Sequence, residues 1–327
     1  MISRNTNGNG TPYEALDQFV KSWEKGNADN LEFCVVKEPF LYMGIFGNVY
    51  DLEAMKELLR LPENRPEKCS IKIINEATVY DGCRARQYAS VLGYFEEEGS
   101  HIAFGGSFVN TLIQSDEGWL IETMRFEMKS DDAFKRIWLT ETGKIEHEKG
   151  SGDLSLLKGW KLVNDRVGCF MGAVEGQANE VICAEYDAPW FAPSQTGLHK
   201  TEEEQIKELF ARLCFAYDYS CMLLIRQIMT PQSIIRTKDG TFELRDAIGY
   251  LKLKRQAAPR SFHAGRVESI VMDGERALAT ITALAPENFK RANDGRPVFD
   301  GEIIQMQAVK IDSKWMLEKL EVGSFAD

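Results

Sequence analysis

Two residues in the C-terminal half of the chain, Asp218 and His263, could together carry out proton transfer. Cys214 and Asp218 are four residues apart on one stripe of a predicted helix, so a carboxylate faces the interior. A buried carboxylate needs a partner or a wet cavity, because an unpaired buried charge is costly. His263 lies in a segment with strand periodicity and has the parity of Val267 and Val271, which predicts that it faces the same inner side.

The two residue types suit general base catalysis. Histidine titrates near neutral pH, so it can take a proton from a carbon beside a carbonyl or allylic system. A buried carboxylate beside it would select the ring tautomer and stabilise the imidazolium ion that forms. A structural role is the alternative, in which Asp218 caps a neighbouring turn and His263 is a hydrogen-bonded strand residue. The residue types and their spacing leave both roles open.

The elements that must position this pair occur twice in the chain of 327 residues. Four segments recur in the same order at a nearly constant offset, for example Val79 with Val271, 192 residues later. The matched segments are 13–29 with 202–223, 47–59 with 240–252, 79–85 with 271–277, and 116–122 with 312–318. Matches in this order indicate a duplication, with a first unit at 11–130 and a second at 200–327.

Each unit begins with amphipathic helices and continues with the two-residue alternation of strands. In the second unit, Thr201 followed by three glutamates predicts the start of the first helix. The predicted strands of that unit are 262–272, 276–285, 300–312 and 314–322. Helices followed by hairpins predict an α+β fold of two cone-shaped units. In each unit, helices pack on one face of a curved, mainly antiparallel sheet and leave a ligand pocket inside.

The order of elements, with the segments 210–218, 239–248 and 310–315, resembles the SnoaL-like branch of the nuclear transport factor 2-like superfamily, whose fold is cystatin-like. The resemblance is good over 200–327 and looser over 11–130. It implies small-molecule dehydratase, isomerase or polyketide cyclase chemistry, although the branch also has many members of unknown role.

The resemblance also implies that an aspartate on this helix and a histidine on the first long strand form a catalytic pair. Asp218 and His263 match that pattern, which is similar to the bile-acid-type and scytalone-type dehydratases. The chain departs from it at Leu213, where such dehydratases often carry a tyrosine. The resemblance therefore supplies neither the proton donor nor the substrate.

The first unit is predicted to be a degenerate copy. Glu24 retains an acid at the position of Asp218. The position of His263 falls at Ser70 or Ile71, depending on the offset, and neither residue is a general base. The first unit is therefore expected to serve for packing, for completing a pocket, or for binding without turnover.

Residues 131–199 belong to neither copy. A structureless connector of this length is unusual, so the segment is expected to be ordered and packed against one or both units. Within it, Pro189–Pro193 contains a tryptophan and a phenylalanine and is predicted to dock onto an apolar surface. The sequence assigns the segment no fold.

Composition excludes several classes of protein. A net charge of −11 argues against a nucleic-acid partner. No apolar run is long enough to span a membrane, and the polar N-terminus predicts no secretory signal. Seven cysteines without a CxxC pair are expected to be reduced thiols of a cytoplasmic protein, with Cys214 a small buried hydrophobe. Nucleotide-binding and metalloprotease motifs are missing from the sequence, so neither cofactor nor metal is predicted.

The sequence thus predicts a cofactor-independent lyase or isomerase acting on a small, largely apolar carbonyl or hydroxyl compound, with Asp218 and His263 as the catalytic residues. A ligand-binding or regulatory protein without chemistry is one alternative, and a scaffold whose sheets serve for association is another. The two units are expected to pack through their sheets as an intramolecular pseudo-dimer, with a homo-oligomer as a further option. The expected partner is a small-molecule ligand, not a nucleic acid or a membrane.

Overall fold

A computed structural model of the chain describes two compact units. The described residues are 10–42, 48–60, 68–97, 100–131, 188–191, 200–219, 221–257, 262–293 and 296–323. Those up to 191 belong to the first unit and those from 200 onwards to the second. None of the helices in these ranges is long and apolar enough to cross a membrane.

The described residues of the first unit form two α-helices and six strands. The helices are α1 (Pro12–Lys25) and α2 (Leu52–Arg60), with a 3-10 segment at Ala28–Phe33. The strands are β1 (Val35–Tyr42), β2 (Asn48–Val49), β3 (Lys68–Asp81), β4 (Arg84–Glu97), β5 (Ser100–Ser115) and β6 (Gly118–Asp131).

In the second unit, the part of the chain that the structure describes forms three α-helices, a six-stranded sheet and a short hairpin. The helices are α3 (Glu202–Asp218), α4 (Met222–Ile228) and α5 (Leu244–Ala257). The sheet strands are β7 (Met229–Thr237), β8 (Gly240–Glu243), β9 (Ala264–Asp273), β10 (Arg276–Leu284), β13 (Asp300–Ile311) and β14 (Lys314–Val322). The hairpin pairs β11 (Lys290–Arg291) with β12 (Pro297–Val298).

The two sheets have the same strand order. The first runs β2-β1-β6-β5-β4-β3 and the second β8-β7-β14-β13-β10-β9. Every neighbouring pair is antiparallel except β1 with β6 and β7 with β14, which are parallel. Helix α1 contacts β3 and β6, and α3 contacts β9 and β14. The predicted α+β class, with helices on a mainly antiparallel sheet, is confirmed.

The first helix of each unit begins with a capping box. The Thr11 hydroxyl accepts the Glu14 backbone N–H while the Glu14 carboxylate accepts the Thr11 N–H. Thr201 and Glu204 form the equivalent capping box at the start of α3. Helix α1 ends earlier than the predicted 13–29, because Gly26 adopts a left-handed conformation with φ of 59° and closes the helix.

Strands β1 and β7 were absent from the sequence-based order, which placed all long strands after the helices. The run Cys221–Met229, which forms α4 and the first residue of β7, is apolar except for Arg226 and Gln227. A short run of this kind does not distinguish a buried helix from a buried strand. In each unit this extra strand lies next to the last long strand and pairs with it in parallel.

Strand β9 contains a bulge, so the predicted alternation of inward-facing and outward-facing side chains does not hold along the whole strand. Val267 pairs with Ile281 and Ser269 pairs with Thr280, so Glu268 is an extra residue. Beyond the bulge, side chains that the alternation places on the inner face lie on the outer face. Val271 is consequently 62% exposed, and the expectation that it shares the inner face with His263 was wrong.

Most of the predicted connecting segment 131–199 lies outside the described residues. Its described part includes Pro189–Phe191, a 3-10 turn in which Trp190 is buried. The Trp190 ring lies 6.2 Å from the ring of Tyr88 on β4. This contact within the first unit agrees with the predicted docking of the segment onto an apolar surface. The predicted packing of the two units through their sheets stays a prediction.

Candidate active site

The last turn of α3 carries the candidate carboxylate. Phe210, Cys214 and Asp218 follow one another at four-residue intervals and all three are buried, as the helical spacing predicts. Asp218 is fully buried, with 0% of its surface exposed. A carboxylate in that position has to be satisfied by neighbouring donors.

Asp218 is satisfied by His263 alone among its described hydrogen bonds, through both carboxylate oxygens. Oδ1 lies 2.5 Å from Nδ1 of the imidazole, and Oδ2 accepts the His263 backbone N–H at 3.0 Å. Because an ionised carboxylate only accepts, the ring proton belongs on Nδ1. Nε2 is then the ring nitrogen that is available as a base. The structure thus brings the two predicted site residues together.

His263 lies immediately before β9, at the edge of a cavity. Its side chain is 41% exposed, in contrast to its buried partner. The Tyr217 ring stands edge-on to the imidazole, with 4.3 Å between the ring centroids and an interplanar angle of 81°. Asp218 and Tyr217 together hold the ring in one orientation, and the rest of the ring is accessible to a ligand.

The cavity has a volume of about 500 Å³ and lies inside the second unit. This volume is in the usual range for a small-molecule site. Its apolar lining is Phe210, Leu213, Cys214, Ile235, Leu251, Phe262, Ala264, Ala283, Leu284, Ala285, Gly301, Ile304, Leu320 and Val322. Its polar lining is Tyr217, Thr237, Lys238, Asp239, Tyr250, Lys254, His263, Asn288 and Glu302.

Cys214 borders the cavity but is not an activated thiol. Burial, together with the negative charge of Asp218, raises the pKa of the Cys214 thiol well above its usual range. A thiol that stays protonated at neutral pH is a poor nucleophile. This agrees with the predicted role of Cys214 as a small hydrophobe.

Sequence reasoning missed a second polar region of the cavity. Thr237, Asp239, Tyr250 and Lys254, named here the polar wall, come from the end of β7, the β7–β8 turn and α5. Asp239 accepts from Lys254 Nζ at 2.6 Å and from the Tyr250 hydroxyl at 2.8 Å. The sequence signal was the four-residue spacing of Tyr250 and Lys254, which places them on one face of α5.

The ionisation of the polar wall follows from these contacts. Hydrogen bonds from Lys254 and Tyr250 lower the pKa of Asp239, and the same bond to Asp239 raises the pKa of Lys254. Burial is the main cause of a raised pKa for the Tyr250 hydroxyl. At neutral pH the wall therefore presents a carboxylate, an ammonium and a protonated phenol.

The corresponding place in the first unit has an acid without a base. The carboxylate of Glu24, near the end of α1, accepts the backbone N–H of Ile71 on β3 at 2.5 Å. Asp218 accepts the backbone N–H of His263 in the same way. Of the two residues that the sequence left open as equivalents of His263, Ile71 is therefore the counterpart and Ser70 is not. Within the described residues, no group of three or more potential metal-ligating side chains is found.

Residues 199–321 match the model of the SnoaL-like domain family, so the recognition of this domain in the second unit is confirmed. Comparison with curated proteins gives no match.

Several solved structures are similar to parts of the chain. A protein of Kribbella flavida is 12% identical, covers 37% of this chain and 90% of its own length, and has a TM-score of 0.34. A proposed scytalone dehydratase of Novosphingobium aromaticivorans is 12% identical over 36% of this chain and 82% of its own, with a TM-score of 0.34. A cystatin-like protein of unknown function from Nostoc punctiforme is 16% identical over 39% and 94%, with a TM-score of 0.32.

Proposed function

We propose that the second unit is a cofactor-independent lyase of the dehydratase type or an isomerase. It acts on a small, largely apolar carbonyl or hydroxyl compound, with His263 as the base and Asp218 as the residue that orients it. One observation carries the proposal: the fully buried Asp218 holds both the ring and the backbone of His263 at the edge of a cavity of about 500 Å³. The SnoaL-like match over 199–321 supports it.

The proposed reaction begins with a carbon acid. Nε2 of His263 takes a proton from a carbon next to a carbonyl group, and the C–H electron pair moves into the carbonyl to give an enolate. The carboxylate of Asp218 stays ionised and stabilises the imidazolium ion. In a dehydration, the enolate expels a hydroxyl group from the neighbouring carbon, and the imidazolium proton leaves with it as water. In an isomerisation, the same proton returns to a different carbon.

The apolar lining assists this step by limiting water. Phe210, Leu213 and Phe262 line the cavity with side chains that offer no hydrogen bonds. An apolar surrounding strengthens the attraction between the imidazolium and Asp218, since less water screens the two charges. The same lining selects a ligand that is mainly hydrocarbon.

The alternatives differ in what they require of the cavity. A scaffold would fill its interior with side chains, and a cavity of this size argues against it. A binding protein would have the cavity without a poised base, and the hydrogen bond between His263 Nδ1 and Asp218 Oδ1 favours an enzyme over it. Binding without chemistry remains an outcome of the following experiment.

The test is the exchange of carbon-bound protons in heavy water. The full chain is mixed with 2-tetralone, whose α-protons are acidic, and deuterium incorporation is followed by NMR. We expect exchange above the buffer rate in the wild type and a loss of about a hundredfold or more in His263→Gln, which keeps the side-chain volume but removes the base. Because His263 is partly exposed, the melting temperature of the variant should stay within about 2 °C.

Ligand binding must be measured alongside the exchange. Saturation-transfer NMR with the same ketone should give equal binding to the wild type and to His263→Gln. If both bind and neither exchanges, the protein is a binder and the catalytic proposal fails. If the variant loses stability and binding together, the histidine has a structural role only.

A further inference from the structure

The polar wall places the ammonium group of Lys254, paired with the carboxylate of Asp239, at the cavity. Lys254 is held by its bond to Asp239 at 2.6 Å, and its Nζ lies 5.5 Å from the centroid of the Tyr250 ring. The Tyr250 ring is itself fixed by stacking on Phe242, with centroids 4.2 Å apart. A lysine restrained by a carboxylate and by an aromatic face loses less side-chain freedom on binding a ligand.

The direction of the hydrogen bonds determines what the wall can offer. The carboxylate of Asp239 only accepts, so the Tyr250 hydroxyl and one N–H of Lys254 both donate to it. The Asp239 backbone N–H donates to the Thr237 hydroxyl at 3.1 Å, which fixes the turn. An ammonium group has three N–H bonds, so Lys254 retains donors that can point to a ligand in the cavity.

The proposed reaction generates a group that needs such a donor. When His263 removes a proton beside a carbonyl, negative charge develops on the carbonyl oxygen. An oxygen anion in an apolar cavity is costly unless a preorganised donor or cation meets it. Two lysines are among the described residues that line the cavity, Lys254 and the exposed Lys238, and the former is the one fixed by a neighbouring carboxylate.

We propose that Lys254 binds a negatively charged oxygen of the ligand and that the ligand is therefore an enolisable carbonyl compound or an equivalent phenolate. This rests on the proposed proton abstraction, for which Lys254 supplies the stabilisation of the enolate. The C–H electron pair moves onto the carbonyl oxygen, the Lys254 ammonium donates a hydrogen bond to that oxygen, and the abstracted proton remains on His263 until it is returned.

The competing explanation is that Lys254 and Asp239 only join the β7–β8 turn to α5. Both side chains are partly exposed, at 44% and 36%, and ion pairs of that kind contribute little to stability. In that case Lys254 would affect every ligand equally or none. An oxyanion-binding lysine must instead discriminate between a charged and an uncharged ligand of the same shape.

The experiment uses 4-nitrophenol, whose visible spectrum reports whether it is bound as phenol or phenolate, and 4-nitroanisole as the uncharged analogue. The wild-type chain should bind the phenolate preferentially, which appears as a lowered pKa of the bound probe. Lys254→Met should weaken phenolate binding about tenfold or more and change 4-nitroanisole binding less than twofold. Lys254→Arg should retain most of the phenolate binding.

Two further variants control the assignment. Lys252→Met removes an exposed lysine of the same helix outside the cavity lining and should change neither probe. His263→Gln should leave phenolate binding in place, because the anion is assigned to Lys254. A wild-type chain that binds phenolate through Lys254 but does not exchange the protons of 2-tetralone would refute the function proposed for His263 and leave this assignment standing.

The proposal is overturned by any of three results. The first is a Lys254→Met chain that still binds phenolate as the wild type does. The second is a parallel loss of both probes, which indicates a structural ion pair. The third is a wild-type chain that binds 4-nitrophenol in the neutral form or not at all.

Discussion

Both units tie the end of their first helix to the start of their first long strand through a carboxylate. In the first unit, Glu24 accepts the backbone N–H of Ile71, and in the second, Asp218 accepts that of His263. The carboxylate therefore has a structural use that does not require a histidine. What the second unit adds is a histidine at the strand start, so that the same contact between helix and strand includes the hydrogen-bonded Asp218–His263 pair that we propose to be catalytic.

The two sheets also differ in the polarity of a buried cross-strand residue pair. Gln87 on β4 and Asn110 on β5 are directly paired across the strands, are buried, and are joined by a hydrogen bond of 2.9 Å. Gln87 also donates to Glu76 at 3.0 Å. The cross-strand pair at the corresponding positions of the second unit is Ala279 with Met306, which is apolar. The second unit thus has an apolar pair where the first unit has a buried, hydrogen-bonded polar pair.

The largest effect expected from this comparison is on activity. Asp218→Asn removes the charge that orients His263 and stabilises its imidazolium, so proton exchange should fall by tens of fold, less than in His263→Gln, which lacks the base itself. Glu24→Gln makes the matching change in the first unit and should leave the exchange rate unaltered. The measurement is the 2-tetralone exchange described above. An equal loss of exchange in both variants would mean that both carboxylates act by stabilising the fold.

The next effect is on local stability, where the contacts of the two carboxylates with the strand starts should behave alike. Asp218→Ala removes the fully buried acceptor of the His263 backbone N–H and should destabilise the fold by about 2–3 kcal/mol. Glu24→Ala makes the same deletion at a half-buried site and should cost about 1 kcal/mol. Thermal melting measures the size of the loss.

Amide hydrogen exchange identifies the unit that loosens. Protection should fall at the start of β9 in Asp218→Ala and around Ile71 in Glu24→Ala. Unchanged protection at both strand starts would contradict the structural use of the carboxylates and restrict Asp218 to a role in catalysis.

How much of this comparison the sequence predicts depends on the kind of pattern involved. Helical spacing and capping predict the buried position of Asp218 and the start of α3 correctly, because both are local. The partnership with His263 was predicted from strand parity, although the bulge at Glu268 shows how fragile parity becomes further along the strand. The polar wall was not predicted, since Asp239 and Lys254 meet only when the β7–β8 turn folds against α5.

The smallest expected effect concerns acid stability, again at matched places on the two leading helices. Ten residues before Asp218 and Glu24 stand Glu208 and Glu14. Glu14 caps its own helix, whereas Glu208 is buried and pairs with Arg212 and Lys200. Burial raises the pKa of Glu208, but the charges of Arg212 and Lys200 outweigh it and hold the pKa below its ordinary value.

A carboxyl group whose pKa is lower in the folded state stabilises the fold above its unfolded pKa of about 4.3, and this contribution is lost as the pH falls through the folded pKa. Between about pH 5 and pH 3, the melting temperature of the wild type should therefore drop by more than that of Glu208→Gln. The expected difference in the free energy of unfolding is about 1 kcal/mol. Glu203→Gln is the control, because the pair of Glu203 with Lys207 lies on the exposed face of the same helix. Equal acid sensitivity of the wild type and Glu208→Gln would show that the buried ion pair does not contribute to the pH dependence of stability.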